Sequence, residues 1–223
     1  MALTTNSFSK DSAKNFLINS AAMYANVKYE TGTGWTGTKL GATNGGVSIK
    51  IDASYRKMEV DGTSVMDVVG LDVLESVSGT ATAKLKEFTA ETIRQALNGT
   101  VRDATEVEAP TGTKIVESKL MVEDTDYIKN IAVVGRLSGN DEPIIFVMDN
   151  ALVTSGLEIE TEDASEAVVE QEYKAHASFE QLEADQFPWR FYFPAAKGGT
   201  TSSEGQRVEL TPPDAPQVNK TNE

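Results

Sequence analysis

The sequence predicts a mainly β protein with one short α-helix at about residues 89–98. Three observations favour this fold class. Several stretches alternate apolar and polar residues with a period of two, which is typical of half-buried strands. Clusters of Gly, Asn, Asp and Thr separate these stretches and suit turns. Residues 89–97 carry instead the spacing of a small amphipathic helix.

Composition bounds the domain organisation. A chain of 223 residues can bury one full core, so one β domain over residues 21–195 is expected, with an N-terminal arm (1–20) and a flexible C-terminal tail (196–223). No apolar run approaches the roughly 20 residues of a membrane helix, and the first ten residues lack the pattern of a secretory signal. We therefore expect no membrane insertion.

The absence of cysteine excludes disulfides, cysteine-based zinc sites and thiol nucleophiles, and it fits synthesis in a reducing cytoplasm. The net charge of -14 argues against tight binding of nucleic acid, which needs clustered lysine and arginine. It is compatible with a protein that DNA slides past. An acidic surface that only keeps the protein soluble is an equal alternative.

The first predicted strand lies near residues 22–30. A loop rich in Gly and Thr follows at 31–37 and contains Trp35, which we expect either in the core or at a contact with a neighbouring subunit. Residues 47–55 then alternate cleanly. Because the apolar residues change parity at Met58 and Val60, a bulge or a change of sheet is predicted near Arg56 and Lys57.

The longest alternation runs over residues 71–86. A strand of this length exceeds the usual run, so it is predicted either to be interrupted at Gly79 or to belong to a sheet continued between subunits. The helix after it should begin at Thr89, a good N-cap, with Glu91 in its first turn. Asn98 and Gly99 should end it.

The second half of the chain predicts a loop at 101–112 and strands near 113–122, 127–137 and 144–153. The last of these strands has apolar residues on both faces, so it is expected either to be buried on both sides or to lie at a subunit contact. An acidic quarter, residues 157–183, contains a further strand with one polar face. Residues 187–194 form the densest aromatic cluster, in which Trp189 is expected to seal the core or to contact another subunit, and prolines restrict this segment to an edge or a non-sheet position.

Catalytic patterns are weak. His176 is the only histidine, and its place on the polar face of a strand favours a solvated side chain over a triad member. No phosphate-binding loop, dinucleotide fingerprint or zinc spacing is present, and Asp124 and Asp126 lack the spacing of a calcium loop. Alternating acids are more typical of a solvated strand face than of a glycosidase pair. We expect no enzyme activity, no cofactor and no metal.

A series of short motifs carries a family resemblance. Gly45-Gly46 enters a strand, Tyr55-Arg56 follows, residues 59–62 form an acidic-Val-Asp-Gly turn, and residues 69–71 read Val-Gly-Leu. This series resembles the major tail tube proteins of long-tailed, siphovirus-type bacteriophages. The likeness covers residues 40–97, with a weaker echo at residues 187–190, and it is a pattern of small motifs and not a catalytic signature.

The resemblance implies a structural virion protein in the phage tail, made in the cytoplasm of the bacterial host. Its subunits, each a β-sandwich or barrel-like domain with one short helix, would form stacked hexameric rings. The sheets of these rings would join into a negatively lined conduit for double-stranded DNA. It also implies tape measure, tail terminator and tail tip proteins as partners. Polar strand faces are the candidate lumen surface, although Lys50, Lys84 and Lys86 share them, and the candidate lumen residues are Asp52, Asp72, Glu170 and Glu172.

Two other functions remain open from the sequence. A β-sandwich recognition module that binds carbohydrate or protein would show similar strands, and it predicts a stable monomer with an exposed aromatic patch. The tube protein of a contractile injection system is a nearer alternative. The sequence does not separate that protein from a phage tail tube.

Overall fold

The computed structural model describes residues 12–61, 66–160, 163 and 166–194, and all structural statements concern these residues. They contain two α-helices, α1 (Ala90–Leu97) and α2 (Phe179–Glu183), and two short 3-10 helices (Ser12–Asn15 and Asp124–Asp126). The strands are β1 (Leu17–Glu30), β2 (Gly34–Lys39), β3 (Thr43–Lys57), β4 (Asp72–Leu85), β5 (Thr100–Asp103), β6 (Lys114–Glu117), β7 (Ile128–Leu137), β8 (Pro143–Val153), β9 (Ile159–Glu160), β10 (Val168–Lys174) and β11 (Trp189–Tyr192). The mainly β fold class is confirmed.

The main sheet is continuous and antiparallel, in the order β2-β1-β7-β8-β10-β4-β3, with β11 beside β8 and β9 beside β10. Strand β8 joins its two halves. Its first part pairs with β7 and β11, whereas Leu152 and Val153 pair with β10. We call β2, β1, β7, β8 and β11 sheet A, and β9, β10, β4 and β3 sheet B.

The core lies between the two sheets. Met23 of β1, Ile131 of β7 and Met148 of β8 face Ala81 of β4 and Tyr173 of β10, and each of these residues is at most 1% exposed. Small alanines on β4 and larger residues on β8 fill the space between the layers, as close packing requires. The prediction that β8 is buried on both faces is confirmed, because Ile145 and Val147 form a second buried cluster on the outer side of sheet A.

The N-terminal region departs from the sequence prediction in two ways. Strand β1 begins at Leu17, inside the predicted arm, and the predicted loop at 31–37 contains the start of strand β2. The pairing with β1 makes β2 a strand despite its glycines. Asn26 adopts a left-handed conformation at a bulge in β1, and the side-chain amide of Asn130 bonds both the N–H and the C=O of Val27 there.

Strands β3 and β4 form a long hairpin whose register shifts twice. Gly45 and Gly46, both with positive φ, form the first irregularity. At the second, Tyr55 pairs with Leu74 directly after Ser54 pairs with Ser76, so Glu75 is the extra residue. A bulge therefore lies near Arg56, but its extra residue belongs to β4. Strand β3 itself alternates without a break to Lys57, so the shift that the sequence predicted within β3 near Arg56 and Lys57 is wrong.

Gly79 does not interrupt β4, contrary to one of the two sequence alternatives. Its missing side chain makes room for the indole of Trp189, since a Cβ at this position would lie 2.7 Å from Trp189 Cε3. This contact places Trp189 at the edge of the core. Strand β11 pairs only with β8 among the described strands, so the predicted edge position of the aromatic segment is confirmed.

Helix α1 confirms the predicted caps. The Thr89 hydroxyl accepts a hydrogen bond from the Thr92 N–H at 3.0 Å, and Asn98 ends the helix in a left-handed conformation. The predicted loop at 101–112 is wrong at its start, because Thr100–Asp103 pairs with Lys114–Glu117 as a small separate sheet. The short helix α2 was not predicted, although Ser178 and Gln181 form a capping box there.

Two predicted segments fall largely beyond the described chain. Residues 1–11 of the N-terminal arm and the C-terminal tail at 196–223 lie outside the described residues, so the structure does not test them.

Candidate self-assembly surface

The far end of the β3–β4 hairpin extends beyond the packed core. Every residue at positions 51–56 and 72–76 is exposed, although both segments are paired strand. A strand normally buries at least one face, because its stability depends on side-chain packing. This end of the hairpin, which we call the distal hairpin, therefore has no covered face in a single copy.

One face of the distal hairpin is apolar. Directly paired residues share a face, so Ile51, Ala53 and Tyr55 of β3 lie with Val77 and Leu74 of β4. Tyr55 is 64% exposed, and Ile51 and Leu74 are each 41% exposed. This face continues the row of Ala81 and Ala83, which the core buries. The apolar pattern of a core face thus extends past the core itself.

The outer edge of β3 is a second feature of the distal hairpin that favours binding to another β element. In the described part of the chain, this strand of 15 residues pairs with β4 alone. Unpaired backbone N–H and C=O groups along such an edge form a template for another strand. The edge and the apolar face together make the distal hairpin suited to binding another β element.

A groove of about 470 Å³ lies between the distal hairpin and the segment that carries α2. Leu74 and Val77 line it from the hairpin side. Leu182 and Phe187 line it from the other side and are themselves 68% and 54% exposed. The side chains that line this groove add to the exposed apolar surface of the distal hairpin.

The opposite face of sheet B is polar, and it holds three of the four candidate lumen residues. Asp52 lies on β3, and Glu170 and Glu172 lie on β10 opposite Lys84 and Thr82. Asp72 does not join them. It pairs with Lys57 beyond the bulge, and the uninterrupted alternation of β3 places that pair on the other face.

This polar face is balanced in charge and not acidic. Between the bulges of the hairpin and along β10 it carries Ser48, Lys50, Asp52, Ser54, Ser76, Ser78, Thr80, Thr82, Lys84, Glu170, Glu172 and Lys174. Three lysines therefore accompany three carboxylates. Lys50 lies 2.6 Å from Asp52, and Lys84 lies 3.3 Å from Glu170. The hydrogen bond to the Asp52 carboxylate is the main cause, and the negative charge of Asp52 the second, of a raised pKa of Lys50. The carboxylate of Asp52 therefore compensates the charge of Lys50.

The outer face of sheet A carries exposed aromatic rings, which include the predicted Trp35. The Trp35 ring contacts Tyr29 at 5.4 Å and Tyr192 at 4.8 Å between centroids, with interplanar angles of 62° and 65°. Trp35 is 37% exposed, whereas Trp189 packs on Gly79. The structure thus places the two tryptophans in different roles, one on a surface and one against the core.

The described residues contain no group of three or more histidine or acidic side chains arranged to hold a metal ion. Within the same residues, no helix has the length and apolar character to cross a membrane. His176 is held by backbone groups. Its Nδ1 lies 3.2 Å from the Asn150 carbonyl oxygen and 3.1 Å from that of Lys174, and its ring packs edge-on against Tyr127.

No protein-family model matches the sequence, and no curated protein matches it. Among solved structures, the chain is similar to a chain of the anti-feeding prophage (AFP) baseplate, determined by cryo-electron microscopy with six-fold symmetrisation. The identity is 10% and the TM-score 0.39, over 85% of this chain and 97% of that chain. A TM-score of this size does not establish a shared fold, so the function proposed below depends on this chain's own residues.

Proposed function

We propose that this chain is a structural subunit of a phage-type tail tube, and not an enzyme. Copies of it assemble into stacked hexameric rings through the distal hairpin, and the rings enclose a conduit for double-stranded DNA. The observation that carries the proposal is the distal hairpin itself, which is exposed on both faces and apolar on one of them. No described strand pairs with the outer edge of its strand β3.

Assembly pairs the outer edge of β3 and buries the apolar face of the distal hairpin. Pairing of the β3 edge with a neighbouring copy supplies hydrogen-bond partners, and closure into a ring removes the edge altogether. Burying the apolar face against that neighbour contributes about 25 cal/mol for each Å² removed from water. Stacking of rings is a head-to-tail contact, which generates an open filament.

The polar face of sheet B is the proposed lumen wall. Its lysines stand beside carboxylates, so DNA phosphates meet few uncompensated cations and pass without being held. In this proposal Asp52, Glu170 and Glu172 face the conduit. Asp72 belongs to the hairpin face that contacts the neighbouring subunit.

The resemblance of residues 40–97 to siphovirus-type tail tube proteins also supports the proposal. With it come the partners that such a tube requires, namely tape measure, tail terminator and tail tip proteins. The mature protein then resides in the virion tail after synthesis in the host cytoplasm. The tube of a contractile injection system is the nearest alternative to this function.

Adjacent residues on opposite faces of β3 provide a matched test. Tyr55→Lys places a charge on the apolar face, and Ser54→Lys places the same charge on the polar face. Both positions are exposed, so neither change should alter the free energy of unfolding by more than about 0.5 kcal/mol. We expect Tyr55→Lys to abolish rings and filaments in negative-stain microscopy and size-exclusion chromatography, and Ser54→Lys to retain them. Assembly by both variants would contradict the proposal.

A second candidate function, a recognition module, is favoured by the exposed aromatic rings of sheet A. Tyr29, Trp35 and Tyr192 meet edge to face, so they do not form the flat platform on which a sugar ring stacks. Their geometry suits a protein or peptide ligand better. This candidate predicts a monomer at all concentrations, which the same chromatography would reveal.

A further inference from the structure

The aromatic face of sheet A contains a groove of its own, distinct from the hairpin. The groove has a volume of about 230 Å³, and the residues that line it include Tyr24, Trp35, Val134, Pro143 and Ile145. We call it the aromatic groove. Sites for whole small molecules usually measure about 300–1,000 Å³, so this groove suits a few side chains of a peptide.

Lys39 provides a positive charge beside Tyr24, one of the residues that line the aromatic groove. Lys39 pairs directly with Tyr24 across β1 and β2, so the two side chains lie on the same face of the sheet. Gly37 separates Lys39 from Trp35 along β2, which places Trp35 on that face as well. Lys39 is exposed. A ligand of the groove would therefore gain from an acidic group beside an apolar segment.

The chain itself carries a segment with this chemistry. The described residues end at Pro194, two positions after Tyr192, whose ring contacts Trp35. Residues 197–206 are rich in Gly, Ser and Thr, and residues 211–216 read Thr-Pro-Pro-Asp-Ala-Pro. Linkers rich in Gly and Ser have a root-mean-square span of roughly 20–25 Å over about 18 residues. Residues 211–216 are thus tethered within reach of the aromatic groove.

We propose that residues 211–216 bind in the aromatic groove, with prolines against Trp35 and Tyr24 and with Asp214 beside Lys39. Pro-rich segments bind aromatic-lined grooves because their preferred extended conformation loses little entropy on binding. The acidic residue between the prolines matches the charge of Lys39. This contact lies on sheet A, so it is independent of the hairpin-based assembly proposed above.

Tryptophan fluorescence of the full-length chain tests the contact. Replacing Pro212, Pro213 and Pro216 with Ser should shift the emission to the red and increase quenching by acrylamide, because Trp35 becomes uncovered. The control Thr201→Ala/Ser202→Ala/Ser203→Ala alters the connecting residues and should leave both signals unchanged. In a Trp35→Phe background the proline changes should have no effect, since Trp189 alone then reports.

Three results would overturn the proposal. The first is unchanged quenching in the proline variant. The second is an equal increase in the control variant. The third is quenching that depends on protein concentration but not on the prolines, which would show that a second copy covers Trp35.

Charge reversal supplies an independent test of orientation. Lys39→Glu and Asp214→Lys should each reduce the equilibrium constant for docking by about 1.5- to 5-fold, as expected for an exposed ion pair. At low salt, acrylamide quenching of the double variant should return to the lower level of the original chain. If the two effects simply add, Asp214 does not contact Lys39, and the proposed orientation is wrong.

Discussion

At the scale of single residues, two buried polar groups connect helix α1 to sheet B. Gln171 is fully buried, and its side-chain N–H donates to the Thr92 carbonyl oxygen at 2.8 Å. The Tyr173 hydroxyl donates to the Gln171 side-chain oxygen. Both side chains point into the core from a strand whose alternate residues face solvent. Such pairs stabilise a fold only while every member is satisfied.

This pair yields a stability prediction. Gln171→Leu should lower the free energy of unfolding by about 1–3 kcal/mol, because the Tyr173 hydroxyl loses its buried partner. Adding Tyr173→Phe removes that stranded hydroxyl, so the double variant should be more stable than Gln171→Leu alone. Urea denaturation of the two single variants and the double variant measures the difference. Strictly additive losses would show that the two side chains are not coupled.

Tyr173 also predicts an alkaline effect. Burial raises the pKa of its hydroxyl above the ordinary value near 10. Since the folded state holds the proton more tightly than the unfolded chain, stability is fully present below about pH 10 and falls as the pH rises above it. Tyr173→Phe should flatten this decline in urea denaturation at pH 9–11. An equal decline in both proteins would mean that another group causes it.

Gly79 predicts the effect of overpacking. Gly79→Ala should cost about 1–3 kcal/mol, because the added Cβ meets the Trp189 ring at 2.7 Å. Ser78→Ala, one residue away on the polar face, is the control and should be neutral. Thermal unfolding of both variants tests the prediction. Trp189→Phe in the Gly79→Ala background should recover part of the loss if the indole is the obstacle.

At the scale of elements, Asp126 connects helix α1 to the loop before β7. Its carboxylate is 2% exposed and lies 2.9 Å from Lys119 and 4.0 Å from Arg94 of α1. Burial alone would raise the pKa of Asp126. The Glu123 N–H bond and the two cations outweigh burial and lower this pKa. This single residue thus links helix α1 to the segment 119–126, which is separate from it in sequence.

Acid should weaken this connection. Because the pKa of Asp126 is lower in the folded state than its ordinary value near 3.9, its contribution is present above about pH 4 and is lost as the pH falls through the folded value. Asp126→Asn should cost about 2 kcal/mol at pH 7. The difference from the original chain should shrink at pH 2–3 in denaturant titrations. If the difference in free energy of unfolding stayed the same from pH 7 to pH 2–3, the destabilisation by Asp126→Asn would come from altered packing and not from the lost charge.

At the scale of the whole molecule, the proposed conduit function predicts that the charge of the polar face of sheet B decides whether DNA is bound or passes. Replacing Asp52, Glu170 and Glu172 with Lys would leave six lysines and no carboxylate among the residues of the polar face named above. We expect the assembled variant to retain double-stranded DNA in co-sedimentation. A plot of the logarithm of its DNA-binding constant against the logarithm of the salt concentration should fall with a slope of about -0.9 for each phosphate neutralised.

A matched control changes the same net charge elsewhere. Glu106, Glu158 and Glu183 are exposed acids outside that face, and their replacement with Lys should leave DNA retention low. Equal retention by the two variants would show that net charge, and not the position of the face, controls DNA binding. The proposed lumen assignment would then lose its support.

The sequence by itself predicted elements whose signals are local. The caps at Thr89 and Asn98 confirm the helix, because capping depends on neighbouring residues only. The alternation along β3 and β4 predicted these two strands, and the continuous apolar run of β8 predicted that strand and its two buried faces, for the same reason. Strand β2 was missed, because its glycines hide a pairing that β1 supplies.

The tertiary structure alone decided which faces come together. The extra residue Glu75 moves Asp72 away from Asp52, and no pattern within either strand reveals this shift, because register is a property of the pair. The sequence likewise could not tell that Trp189 packs on Gly79 while Trp35 lies on a surface. Periodicity determines that a strand has two faces. Pairing between distant segments determines what each face meets.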